Sequence, residues 1–232
     1  MQDMKRLGEG IWSVRRTIRI SKWPAYMSSH MTVIQLGGSD LLLHSPVPLV
    51  AEDVQVLNRL GRVRFIVAPN LYHHMFVEQA RGLFPDAQVW VAPGLIDKLP
   101  GLRGSRELRD DEPIAPSELR QKLVPGHASN ETAFLHVASR TLILTDLAYN
   151  VGKEAGLFES VWYWAHGAYR RRAVPRYHRR LITDRVRFRG ALEELLEWDF
   201  EQLGVGHGTV LRSEGKLVLR EMWRFVLRGT AE

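Results

Sequence analysis

The sequence predicts a layered α/β domain with a mixed sheet, and three observations carry that expectation. From Leu49 onward short apolar runs alternate with amphipathic stretches, the rhythm of strands interleaved with helices. Hairpin-like stretches flank this alternating part, so antiparallel pairs join parallel ones. The 232 residues, 45% hydrophobic and 25% charged, suffice for a single domain over residues 1–232 with a sizeable core.

The elements follow in chain order. Ile11 to Ile20, Met31 to Leu36 and the apolar run Leu41-Leu42-Leu43 read as an opening antiparallel meander. Ala51 to Leu60 reads as a helix ended by Gly61, and Val63 to Ala68 as a strand stopped by Pro69. A second helix spans about His74 to Leu83, followed by the short strand Val89-Trp90-Val91. Gly101 to Ser117, rich in Gly, Pro and charge, reads as a surface loop. Strands are expected at Lys122 to Pro125, Thr132 to Ala138, Thr141 to Thr145 and Leu203 to Val205. Helices are expected at Ala191 to Glu201 and, amphipathic, at Glu214 to Leu227.

Composition excludes several functions. With no cysteine there are no disulfides, thiolate zinc sites, iron-sulfur clusters or cysteine nucleophiles, so any metal rests on nitrogen and oxygen ligands. No uncharged apolar run approaches the ~20 residues of a membrane span. Met1 to Gly10 lacks the apolar stretch of a signal peptide. The expected location is the cytoplasm.

Chemistry concentrates where apolar strands end. Arg64 to Ala68 leads through Pro69-Asn70-Leu71-Tyr72 to His73 and His74; Leu123-Val124 leads through Pro125-Gly126 to His127. Leu142 to Thr145 runs into Asp146, and Leu203 to Gly206 into His207-Gly208. Ligands gather beyond the carboxyl ends of strands in layered α/β folds. Imidazole and carboxylate converging there make a cage for zinc, iron or manganese, with zinc–ligand distances of ~2.0 to 2.2 Å. Glycine beside His127 and on both sides of His207 lets backbone approach a crowded centre. Taken singly, each histidine is more often a loop residue bonded to backbone.

The motifs Pro125-Gly126-His127, Leu142 to Asp146 and Val205-Gly206-His207-Gly208, in that order, resemble the later metal motifs of the metallo-β-lactamase superfamily. The resemblance covers roughly Gly10 to Leu211 and implies an αβ/βα four-layer sandwich with mixed sheets, binding one or two metals. The first motif, H-x-H-x-D-H in that superfamily, departs here: Pro69 and Leu71 stand at the two leading histidines and His73 at the aspartate. Together with Leu43 to Val47, this stretch is similar to a branch of no assigned function. Two divalent ions would bring +4 against Asp146 and one hydroxide, which favours one ion.

The resemblance therefore implies one divalent metal, zinc first and iron or manganese next, on His74, His207 and Asp146, with His73 in place of the aspartate and His127 nearby. Adjacent His73 and His74 reach one centre only from an irregular turn. The alternative is a metal-free site joined by histidine hydrogen bonds. With metal, activated water would hydrolyse an ester, lactone, thioester or similar bond, and Tyr72 or His127 would stabilise an oxyanion or move a proton. Without catalysis, the chain is a silent metal- or ligand-binding protein.

Partner readings rest on charge. Tyr169 to Gly190 holds nine arginines against Asp184, a local +8 in a chain of +6, so the remainder carries −2. Trp162, Tyr163, Trp164, His166 and Tyr169 precede it. Aromatics beside arginine grip single-stranded nucleic acid, yet such composition more often marks a solvated face. A small-molecule substrate, anionic in one variant of this reading, is the principal expected partner. An acidic protein, a membrane surface and a nucleic acid bound through Arg170 to Arg189 are the alternatives. The aromatic cluster reads as core or pocket wall.

Overall fold

The computed structural model describes residues 4–20 and 25–228; the ends of the expected 1–232 domain, and Met1 to Asp3 of the opening segment, lie outside them. Strands β1 (Met4–Gly8), β2 (Ile11–Arg19), β3 (Tyr26–Gln35) and β4 (Asp40–His44) form an antiparallel meander. Beyond β4 the pairing becomes parallel, which requires crossovers. Helix α1 (Ala51–Leu60) precedes β5 (Arg62–Ala68), α2 (Val77–Leu83) precedes β6 (Gln88–Val91), and α3 (Leu95–Lys98) precedes β7 (Arg106–Glu107). These strands make one seven-stranded sheet in sequence order.

The second sheet begins with β8 (Leu119–Leu123), β9 (Thr132–His136) and β10 (Thr141–Ile143), all antiparallel neighbours. There follow β11 (Tyr149–Asn150), α4 (Leu157–Ala165), α5 (Arg176–Arg179) and α6 (Arg185–Glu197). Strand β12 (Gln202–Gly204) then returns parallel to β10, and β13 (His207–Gly208) pairs with β11. Helices α7 (Gly215–Met222) and α8 (Arg224–Leu227) close the chain.

The period-two alternation of strands sorts side chains into three cores. Leu41 and Leu43 of β4 join Ile66, Ala68 and Val77 beneath α1 and α2, whereas Leu42 meets Val67, Trp90, Phe134 and Ile143 between the sheets. Leu135 and Leu142 turn to the third core, with Leu192, Leu195 and Trp223. Three apolar interfaces separate four layers, helix, sheet, sheet, helix. Both faces of β4 are covered, and its uninterrupted apolar run follows from that.

Differences from the expected elements have local causes. Helix α2 starts at Val77 because Asn70 holds the preceding turn, its Oδ1 accepting from Tyr72 N at 2.8 Å and His73 N at 2.7 Å. Helix α6 starts six residues earlier than expected: Asp184 Oδ1 accepts from Val186 N and Arg187 N and caps it. The last six residues of the arginine segment are therefore helical, and its charge is spread over turns, α5 and α6. The terminal helix is two helices, broken at Trp223, whose Nε1 donates to Leu147 O at 2.9 Å. No described helix is long and apolar enough to cross a membrane.

Two buried histidines outside the triad described below contribute an acid limit. Burial lowers His44 to about 3 and His30 to about 4. Both stay neutral in the fold while the unfolded chain protonates near 6.5, so stability is present above that pH and falls as pH drops through it. At pH 5 each contributes a loss of about 2 kcal/mol. His207, raised by Asp146 against the pull of burial, opposes this as a single group. Urea unfolding at pH 7 and pH 5 is expected to show a lower midpoint at pH 5, and the difference should shrink in His44→Leu.

Candidate metal centre

Three strand ends deliver three ligand atoms to one point. The turn after β5 carries His73, the segment after β10 carries Asp146, and β13 carries His207; their ligand atoms all lie within 4.8 Å of one another. His73 Nε2 stands 3.3 Å from His207 Nε2, 3.6 Å from Asp146 Oδ2, and His207 Nε2 stands 3.7 Å from Asp146 Oδ1. The two histidine–carboxylate distances are too long for hydrogen bonds. They approach the ~3.3 Å edge that a tetrahedron of ~2.0 to 2.1 Å zinc–nitrogen bonds requires.

The protonation pattern also fits a cation. His207 Nδ1 donates to Ser28 O at 2.7 Å, so the neutral ring presents a bare lone pair at Nε2. His73 Nδ1 meets Ser45 Oγ at 2.7 Å. Ser45 holds a left-handed backbone, φ 57°, which is costly for a non-glycine residue and aims its hydroxyl at the ring. Two imidazoles and one carboxylate leave coordination positions open, as in catalytic rather than structural sites. The donor set is one that zinc, iron or manganese accepts.

A buried hydrogen-bond network fixes Asp146. Asn70 is fully buried, and its Nδ2 lies 2.7 Å from Asp146 Oδ2, 2.8 Å from Thr145 Oγ1 and 3.1 Å from Glu131 Oε2. Glu131 clamps the same turn, Oε1 accepting from Thr145 N at 2.6 Å and Oε2 from Asp146 N at 2.8 Å. Tyr149 donates its hydroxyl to Asp146 Oδ1 at 2.6 Å, so the His178 Nε2 at 2.8 Å from that hydroxyl is the donor. Burial would raise Asp146, but His73, His207 and His178 hold it well below the usual carboxylate range. Burial and the Asp146 charge push Glu131 upward, and burial lowers His178 to about 4.

Of the residues expected at this centre, His73, Asp146 and His207 come together, while His74 and His127 do not. The turn is irregular, as the adjacent histidines demanded, but only His73 turns inward; His74 is half-buried and outside the triad. His127 is drawn away by its own bonds: Nδ1 meets Ser129 Oγ at 2.7 Å and Nε2 donates to His178 O at 3.0 Å. Its ring stacks on His178 with centroids 5.6 Å apart. Both nitrogens are engaged in these bonds, and the ring lies outside the triad. Tyr72 stands at the cavity mouth, 42% exposed, edge-on to His178. Asn70, Glu131, Tyr149 and His178 have no counterpart in the expected site.

The glycines around His207 serve close packing. A Cβ on Gly206 would lie 2.9 Å from His73 Cε1, and Gly208, at φ +91°, would place one 2.0 Å from Asn150 O. Above the triad opens a cavity of about 480 Å³, walled by Ile18, Met27, Phe76, Trp162 and Leu181 with His73, Asp146 and His207 at its base. Ser28 Oγ donates to the buried Glu159 of α4 at 2.6 Å, which ties the Trp162 wall to the residue whose carbonyl holds the His207 ring.

Several solved structures share this fold. The metallo-β-lactamase from Hirschia baltica is 12% identical with a TM-score of 0.62, over 96% of each chain. FIM-1 from Pseudomonas aeruginosa, a metallo-β-lactamase in its mono-zinc form, is 10% identical with a TM-score of 0.60, over 97% of this chain and 96% of that one. A diflavin flavoprotein A 5 fragment from Nostoc sp. PCC 7120 reaches a TM-score of 0.65 at 12% identity, over 96% and 95%. At such identities the likeness carries the fold, and the chain has the metallo-β-lactamase fold. Residues 9–96 match the domain of unknown function DUF4336. No protein of curated function matches the sequence.

Proposed function

We propose that this protein is a metal-dependent hydrolase with a mononuclear centre on His73, Asp146 and His207, acting on an apolar ester, lactone or thioester. The observation that carries this reading is the convergence of three lone-pair donors at the base of an apolar cavity. A volume of about 480 Å³ suits a small organic molecule. When bound, the metal supplies an acidified water and polarisation of a carbonyl.

The chain's own residues do the rest. Ile18, Met27, Phe76, Trp162 and Leu181 bind the apolar portion and exclude water. Ser45 and Ser28 orient the two ligand rings. The Tyr72 hydroxyl, which burial and then Asp146 keep protonated above its ordinary range, is placed at the mouth to donate to a developing oxyanion. His178 and Tyr149 hold the Asp146 carboxylate oriented and ionised.

Purified protein loaded with zinc, iron or manganese is expected to hydrolyse members of an aryl ester, lactone and thioester panel, and chelation should abolish turnover. Absence of turnover across the panel at full loading would favour a silent metal-binding protein.

A further inference from the structure

We propose a second ligand site, for a phosphate-class oxyanion, in the cavity of about 410 Å³ lined by Lys5, Arg15, Thr17, His30, Glu154 and Arg212. It shares no lining residue with the cavity over the triad.

The pattern that identifies it is an interruption of the inter-sheet core. Cross-strand register pairs Ile11 with Ile34, Ser13 with Thr32 and Arg15 with His30, and Lys5 with Ser13. Leu7, Ile11 and Ile34 belong to the core between the sheets, while Val14, Met31 and Val33 face the helices. By the alternation of strands, Lys5, Ser13, Arg15, Thr17 and His30 lie on the face that looks toward the second sheet. Apolar residues give way there to hydroxyls and cations.

The charges are uncompensated. Arg16 also lines the cavity but pairs with Asp53 at 2.9 Å, whereas among the described residues Lys5, Arg15 and Arg212 pair with no acid, which leaves three cations. The lining acid is Glu154, whose Oε1 accepts from Gly152 N at 2.9 Å. Both guanidinium groups are held in place by neutral acceptors: Arg15 Nη2 donates to Glu154 O at 3.0 Å, and Arg212 Nη1 to Leu7 O at 2.7 Å. Arg15 Nε is buried with no partner among the described residues. Like charges fixed on one wall repel, and a buried donor without an acceptor is costly. An oxyanion answers both, taking the guanidinium fork and the Thr17 hydroxyl. A dianion matches three cations against one acid.

The floor connects to the metal centre. His30 accepts from Ser13 Oγ at Nδ1, 2.7 Å, and donates from Nε2 to Gly208 O at 2.6 Å, the residue beside His207. Gly208 itself lines the cavity, so the proposed site and a triad ligand share β13.

Calorimetric titration of chelator-treated protein with inorganic phosphate, and separately with glycerol 3-phosphate, tests the site without the metal. One saturable site is expected. Tighter binding of the monoester assigns the oxyanion to a small phosphorylated molecule, and tighter inorganic phosphate assigns it to the free ion. Arg15→Gln and Arg212→Gln, on separate segments, should each weaken binding at least about tenfold, the equivalent of one lost charged hydrogen bond, with thermal unfolding confirming that each is folded. Arg180→Gln, an exposed arginine elsewhere, should leave binding unchanged. No saturation by either probe up to about 10 mM, or equal weakening by Arg180→Gln, would overturn the proposal.

Discussion

Asp146→Asn is expected to lower metal affinity by at least about a hundredfold while the protein remains folded. Loss of a residue that merely orients a ligand costs metal affinity about 10- to 100-fold, and Asp146 is the one anionic member of the triad. The amide keeps the shape but removes the charge that attracts the cation and that raises His207. It also brings an NH2 toward either Asn70 Nδ2, 2.7 Å from Oδ2, or the Tyr149 hydroxyl, 2.6 Å from Oδ1. One donor then faces another, at a stability cost of about 1–3 kcal/mol. Elemental analysis and competition with a chromogenic chelator read the affinity. Retention of a full equivalent of metal would show that the carboxylate is structural.

Asn70→Ala is expected to destabilise the fold by about 3–5 kcal/mol, the range for breaking a buried charged network. No apolar side chain is lost from a core here; the cost is electrostatic. Asn70 Nδ2 separates two buried carboxylates, Asp146 and Glu131, and its Oδ1 takes the backbone N–H groups of Tyr72 and His73. Without it the carboxylates face each other with less compensation, and the turn that aims His73 inward loses its anchor. Urea unfolding reads the change through the midpoint at constant slope. A loss below about 1 kcal/mol would mean that water or neighbouring groups replace the amide.

Much of the fold is legible because strand alternation is a property of neighbours in sequence. Leu41-Leu42-Leu43 reads as a strand of the opening meander, and the structure covers it on both faces. The start of α6 was readable in principle: Asp184 is an N-cap, but the arginines beyond it resemble a solvated loop. Asp146 and His207 follow from their positions at strand ends. The choice between His73 and His74 does not, because a turn held by Asn70 decides which ring points inward, and spacing along the chain is blind to that. His127 occupies a fitting motif, yet a hydroxyl two residues later and the His178 carbonyl 51 residues away capture its nitrogens. Glu131, Tyr149 and His178 acquire their roles only when segments far apart in sequence meet around one carboxylate.

His73, rather than its neighbour, is expected to join Asp146 and His207 in holding one metal ion. Titration of chelator-treated protein with zinc, read as equivalents bound per chain, tests it on the native protein, His73→Ala and His74→Ala. The expected result is about one equivalent for the native chain and for His74→Ala, and below about a tenth for His73→Ala. Full binding by His73→Ala, with loss in His74→Ala, would contradict it.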